Sequence, residues 1–352
     1  MQLAQGRLDA ALGTYQRALE ITTPLGQPAL PAAGIAFVGM AEVEYQRGEL
    51  DAALEHVTKG IARLRPVNYP VATGLAAVAW IRQAQGDAAG AREAMGEAER
   101  VAPSPAVAGL INPVPAQRAR LQLAQGDAAA AARWTKQRGL GASDEPGYPQ
   151  EREYLVLARV MLAQDRPRQA LALLERLLAQ AATQGRIGGV IEIRALQALA
   201  LDASGEQASV VDALAEALTL ACPQGYVRVF ADEGPPMGGL LGWLVPAQRA
   251  EQAPARGVPL SCLARLPAGI RRQTRHAGLL AQRRLGGAGP DRAAAGRELE
   301  VLGMLAAGTP NQAIAGELVI TLDTVKSTSA TSSASSAQPT APRLSPGHEN
   351  SA

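Results

Sequence analysis

The chain is short of aromatics, cysteine and lysine and has no long apolar run, and each shortage removes a class of protein. Aromatics make up 3% of the 352 residues while apolar residues make up 47%, so a core has to be built from Ala, Leu and Val. Such a palette suits closely packed helices better than a β-sandwich, which favours aromatic and β-branched side chains. The two cysteines, Cys222 and Cys262, stand forty positions apart with no CxxC pair, and His56, His276 and His348 are scattered. That excludes a zinc or disulfide framework, and the thiols are expected to be buried or idle. Only three lysines occur, Lys59, Lys136 and Lys326, none preceded by Gly, so there is no GxxxxGK[ST] phosphate loop. With no nucleophile elbow, Cys–His pairing or metal spacing either, the chain is read as no enzyme, with no cofactor or metal. It opens without a signal-peptide pattern, and no apolar run approaches the roughly 18 residues that a membrane helix needs. The expected location is the cytoplasm. A net charge of +2 offers no global field for nucleic acid. Basic charge is local instead, with eight arginines from Arg265 to Arg297.

What the chain has in abundance is a repeated phrase. LAQGRLDAAL at 3–12 returns as YQRGELDAAL at 45–54, RQAQGDAAGA at 82–91 and LQLAQGDAAAA at 121–131, with weaker copies at 161–171 and 201–211. Anchored on Gly6, Gly48, Gly86, Gly126, Asp165 and Gly205, the steps are 42, 38, 40, 39 and 40 residues. The phrase reads as a helix closed by Gly or Asp in the left-handed conformation, a turn, and a second helix. Asp9, Asp51, Asp87 and Asp127 stand where the positive end of that second helix wants an acid. Apolar residues at helical spacing follow, Ala10, Leu12, Tyr15, Ala18 and Leu19 in the first copy. Units of this kind bury their apolar faces against their neighbours and form a solenoid.

These repeats resemble tetratricopeptide repeats with a lengthened period, and the array is similar to the sensor array of the MalT-like, large ATP-binding LuxR regulators. Residues 1–221 are assigned to it. A family-specific end segment, 222–263, contains PQGYVRVFADEGPPMGGLLGW, in which Tyr226, Arg228, Phe230, Asp232, Glu233 and Gly234 match the Y-V-R-x-F-x-D-E-G wording of those regulators. The adjacent Asp232 and Glu233 invite a catalytic reading, but without a metal partner they are expected to pair with Arg228 and helix ends. With no phosphate loop, the resemblance implies a C-terminal fragment lacking the ATPase module, its first repeat short of a leading helix.

Residues 297–326 form the third feature. Leu299, Val301, Leu302 and Leu305 give one apolar helical stripe, closed by Gly308. Thr309 and Pro310 open a second helix carrying Ile314, Ala315 and Leu318 inward. A turn at Val319–Thr321 leads into a third helix near Thr324. Two short helices, a tight turn and a third helix describe a DNA reader, and the stretch resembles the LuxR-type DNA-binding domain. The resemblance implies that Glu298 anchors the packing and that Thr321, Thr324, Val325 and Lys326 are the DNA-facing remnant.

After Lys326 the pattern breaks. The family's recognition helix continues and a fourth helix closes the domain, whereas residues 327–352 are Ser, Thr, Pro and Ala with hardly a large apolar residue. Such a tail cannot bury a face and is expected to be disordered. Codons for these residues exist that, read one base out of register, restore an amphipathic string ending as LuxR-type helices do. The tail is therefore read as a frameshift product, and the Arg/Gly-rich linker 264–296 as a candidate for another. The expectation is an all-α chain: a tetratricopeptide-like solenoid, then a partial LuxR-type helix-turn-helix and a disordered tail. Its function is transcription regulation with impaired DNA binding, the array meeting an unknown inducer or protein partner. The alternative is a protein-interaction scaffold that binds no DNA.

Overall fold

The computed structural model describes residues 1–22, 31–65, 68–102 and 113–249, all within the first of two units, Met1–Leu280. Among the described residues there are thirteen α-helices, two short 3₁₀ turns and no strand. In chain order the helices are α1 (Leu8–Thr22), α2 (Pro31–Arg47), α3 (Leu50–Leu64), α4 (Asn68–Ala84), α5 (Ala88–Val101), α6 (Val114–Ala124) and α7 (Ala128–Gln137), followed by α8 (Glu151–Ala163), α9 (Pro167–Thr183), α10 (Ile187–Ala203), α11 (Gln207–Ala221), α12 (Arg228–Ala231) and α13 (Gly234–Arg249). The even helices α2, α4, α6, α8 and α10 lead each pair and the odd helix that follows packs back on its leader.

One chemical device makes every hairpin within a pair. Gly48 N–H donates to the Tyr45 carbonyl at 2.8 Å and Glu49 N–H to the Glu44 carbonyl at 2.9 Å. The same two bonds recur at Gly86, Gly126, Asp165 and Gly205 with the residue after each. They satisfy carbonyls that a helix end leaves orphaned, at the cost of one residue in the left-handed region. The five repeat-turn glycines, Gly6 included, have φ between 71° and 86°, and Asp165, the one described non-glycine there, has φ 55°. Asp tolerates that region because its side chain is short and polar. Asp87 and Asp127 then cap α5 and α7, accepting from Gly90 N–H and Ala130 N–H at 2.9 Å. Asp9 and Asp51 fall two positions later, in the first turns of α1 and α3.

Leading and trailing helices differ as their sequences require. Helix α8 buries ten of its thirteen residues and α10 nine of seventeen, whereas trailing α9 buries five of seventeen along one stripe. A helix apolar nearly all round belongs inside. Small residues set the spacing: Gly34 on α2 and Gly60 on α3 face each other so closely that a Cβ on either would lie 3.0–3.1 Å from the other's carbonyl oxygen.

The array also closes on itself. Leu8 and Ala11 of α1 and Val43 of α2 share one buried cluster with Ile191, Leu214, Phe230 and Leu241. Gly188 N–H donates to the Ala4 carbonyl at 3.0 Å and Val227 N–H to the Gln46 carbonyl at 2.7 Å. Asp9 N–H donates to Gln224 Oε1 at 3.1 Å, and Arg47 Nε to the Gln224 carbonyl at 3.3 Å. The first pair is thus seamed to the last. Cys222, buried beside this seam, is disulfide-bonded, which corrects the expectation of an idle thiol. Pairing depends on the approach of two Cβ atoms in space, which sequence position does not reveal. Cys262 lies outside the described residues. No described helix is long and apolar enough to cross a membrane.

Candidate functional site

The Tyr226–Gly234 segment turns inward, and helix α12 packs on α2 and α10. Phe230 is fully buried and anchors it. Around it a charged lattice forms where four side chains are each less than a tenth exposed: Arg159, Arg228, Asp232 and Glu233. Arg228 pairs with Asp232 one turn on, and its guanidinium lies 5.4 Å above the Tyr45 ring. Tyr45 donates its hydroxyl to Asp232 Oδ2 at 2.7 Å. Arg159 Nε donates to both oxygens of Glu233 at 3.1 Å, and Arg159 Nη2 to Glu192 at 2.8 Å. Arg120 stands 3.6–3.7 Å from Glu233 and Asp232 and stacks 4.5 Å above Trp80. Buried charges survive only when paired in this way.

Asp232 therefore serves the neighbouring Arg228, as its position in the motif implies. Glu233 does not; it reaches Arg159, 74 positions away on α8. Burial pushes the Tyr45 phenol up, with Asp232 adding to it. Burial also pushes the Glu192 carboxyl up, but Arg159, Arg120 and Arg152 outweigh it and hold it low, at about 2.

Beside the lattice lies a cavity of about 440 Å³, with walls from α1, all five leading helices and the Tyr226 segment. Its polar lining includes Glu42 and Gln46 on α2, Arg152 on α8, Glu192 on α10 and, just outside helices, Arg186. Glu151, at the start of α8, pairs with Arg186, whose guanidinium also lies 4.7 Å from the Tyr148 ring centre. Burial pushes Glu151 up against the pull of Arg186. Among the described residues no group of three or more His, Cys, Asp and Glu could hold a metal.

Of the residues singled out from sequence, Gly6, Gly48, Gly86, Gly126, Asp165 and Gly205 sit at the hairpin turns and none lines the cavity; the Gly48 turn packs against Val227, and the Gly6 turn also meets the far end of the array. That turn packs on α10, where a Cβ on Gly6 would meet Ile187 at 3.1 Å. The helix-turn-helix residues Leu299, Val301, Leu302, Leu305, Ile314, Ala315 and Leu318, the remnant Thr321, Thr324, Val325 and Lys326, the Arg-rich linker and the tail lie outside the described residues. The cavity and lattice residues carried one faint signal in sequence. Glu42 with Glu44 interrupts IAFVGMAEVEY, Arg159 interrupts YLVLARVMLA, and Glu192 with Arg194 interrupts GGVIEIRALQALA, one or two charges in a run otherwise fit for a core.

Residues 1–245 match the family model described as the MalT-like TPR region, and residues 295–330 match that of the bacterial regulatory proteins of the luxR family. Both families are regulatory, not enzymatic. No curated protein matches the chain. Paired helices joined by left-handed turns, a charged inner face and a luxR-family stretch beyond them therefore meet in one molecule: the chain belongs to the MalT-like TPR family and is a DNA-binding transcriptional regulator of the LuxR type.

Proposed function

We propose that the closed array receives a small effector in its inner cavity, and that the chain reads DNA only weakly. The observation that carries the first half is the cavity itself. Its wall mixes polar and apolar groups about equally, every leading helix contributes to it, and it lies where the two ends of the array are seamed. A ligand touching several pairs at once favours one curvature of the array over others, which is what a sensor needs. The second half rests on sequence. Reading base edges requires side chains along a recognition helix, and affinity requires several phosphate contacts. In this reading residues 297–326 are a partial reader whose DNA-facing set ends with Thr321, Thr324, Val325 and Lys326, and residues 327–352 supply no apolar stripe to continue it. Selection of duplexes from a random library by the full chain tests this without knowledge of the operator. The expected outcome is weak, salt-sensitive binding with no enriched sequence. Enrichment of one motif with nanomolar affinity overturns it.

A further inference from the structure

Two walls of the cavity hold polar groups that no described residue satisfies, and the two sets are of opposite kind. On α2, Glu42 and Gln46 are one turn apart and so share a face. The half-buried Glu42 carboxylate has no hydrogen bond or ion pair among the described residues, and Gln46 Oε1 is a buried acceptor without a donor. Both are acceptors in want of N–H groups. Across the seam, Arg186 spends Nε on Gln184 at 2.9 Å and Nη1 on Glu151, while its Nη2 is buried without an acceptor. The Arg186 side chain is only 8% exposed. Arg152, exposed on the same side, makes no hydrogen bond or ion pair among the described residues, although its charge is felt by Glu151 and Glu192. Both are donors in want of carboxylate oxygens.

Gln46 Oε1 and Arg186 Nη2 are buried and unmatched, which is uncommon and calls for an explanation, while the charges of half-buried Glu42 and exposed Arg152 stand beside them. The remaining charges of the cavity offer no rival partner. Glu151 is engaged with Arg186, Glu192 with Arg159, and Arg120 faces Asp232 and Glu233. We infer that the cavity takes a zwitterionic small molecule, a free amino acid or a short peptide with unblocked ends, its ammonium on Glu42 and Gln46 and its carboxylate on Arg186 and Arg152. Guanidinium forks suit a carboxylate because both partners are planar and bidentate. A carboxylate with an amide oxygen beside it suits an ammonium with its three donors. The volume is that of an ordinary small-molecule site, which runs to about 300–1,000 Å³. The ligand class rests on the effector reading above and gives it a chemistry.

The test is equilibrium dialysis of the full chain against pooled unblocked dipeptides and amino acids. The same dipeptides N-acetylated, the same dipeptides C-amidated and a pool of neutral oligosaccharides serve as comparators, with retained compounds identified by mass spectrometry. The expected result is retention of at least one unblocked compound, more than tenfold over either blocked version. That retention should fall more than tenfold in Glu42→Gln and in Arg186→Gln. Should Arg186→Gln leave Glu151 too poorly matched to fold, exposed Arg152→Gln carries the same test with a loss of severalfold. Equal retention of blocked and unblocked compounds, or undiminished retention in the variants, overturns the zwitterion assignment. Retention of oligosaccharides alone overturns it too while leaving the receptor reading standing. Retention from no pool overturns both.

Discussion

From α3 to α5 the array is held by small apolar side chains: Ala53, Val57, Ala79, Ile81, Ala91 and Ala98 are wholly buried against one another. Where α1 and α2 meet α10, α11 and α12, the cement is different. Apolar contacts persist there, but backbone bonds cross between residues nearly two hundred positions apart, and four buried charges knit Tyr45, Arg159 and Glu192 to the α12 segment. The middle needs only neighbours, as solenoids do. The seam needs a particular partner from the other end of the chain. Stability in the middle should therefore respond to substitutions in small, local amounts, while the seam should fail abruptly when one member of its lattice is lost.

The largest expected effect follows from Glu233→Ala. It deprives Arg159 of its two-oxygen partner and Arg120 of one of its two carboxylates. Removing one partner of a buried pair costs about 3–5 kcal/mol, so urea unfolding should shift to much lower midpoints. The double variant Arg159→Met with Glu233→Met should recover only part of that loss, because it leaves Glu192 without its Arg159 partner. A single-variant loss below about 1 kcal/mol would make the lattice an ornament of the seam.

Acid should attack the seam next. The Glu192 carboxyl is held at about 2 against an ordinary 4.5 by Arg159, Arg120 and Arg152, with Glu151 and Tyr226 also facing it. A depressed carboxyl contributes stability above its unfolded value, and that contribution drains away as pH falls through the folded one. The window is therefore pH 4.5 down to about 2, and at about 1.4 kcal/mol per pKa unit the total is about 3 kcal/mol. Glu192→Gln should flatten this part of the stability curve. An unchanged slope would place the acid sensitivity elsewhere.

Gly188→Ala comes third. Its Cβ would lie 2.9 Å from the Leu3 carbonyl oxygen. That obstacle is backbone and cannot swing aside, so the first turn must lift from α10, at about 1–3 kcal/mol. Faster hydrogen exchange in residues 1–6 and in the first turn of α10 is the expected mark. Fourth is Asp127→Ala, which removes the cap on α7 from Ala130 N–H. The expected loss is about 1 kcal/mol, with Asp127→Ser close to neutral. A thermal scan of the two variants decides it.

How much of this was legible beforehand divides along the same line. The repeat turns could be read because a residue that closes a helix must be Gly, or rarely Asp, and because the period repeats at about forty. Closure of the array could not be read. Nothing in IGGVIEIRALQ announces that Gly188 and Glu192 face residues 1–6 and the α12 segment, since the contacts span the whole array. The motif from Tyr226 to Gly234 was visible as a phrase, yet its role lay in partners on other helices. Glu233 looked like a neighbour of Arg228 and is in fact a partner of Arg159. Charges at Glu42, Arg159 and Glu192 were the trace of an inner polar surface, diluted among alanines and leucines that dominate any periodicity.

Gly96→Ala is the smallest effect and the one with the opposite sign. Gly96 stands inside α5, and a Cβ there meets nothing within 4 Å. Glycine in a helix interior costs about 0.5–1 kcal/mol relative to alanine, because the unfolded chain loses more freedom on folding. With no neighbour to displace, the substitution should raise the melting temperature by a few degrees, while the same change at Gly188 lowers it. Both residues are helical glycines in pairs of one repeating design, so local propensity predicts one sign for both. Only the seam, where backbone from the other end of the array fills the space that a methyl group would need, predicts two. If Gly96→Ala and Gly188→Ala shift stability in the same direction, the contrast between a locally held middle and a closed seam fails with them.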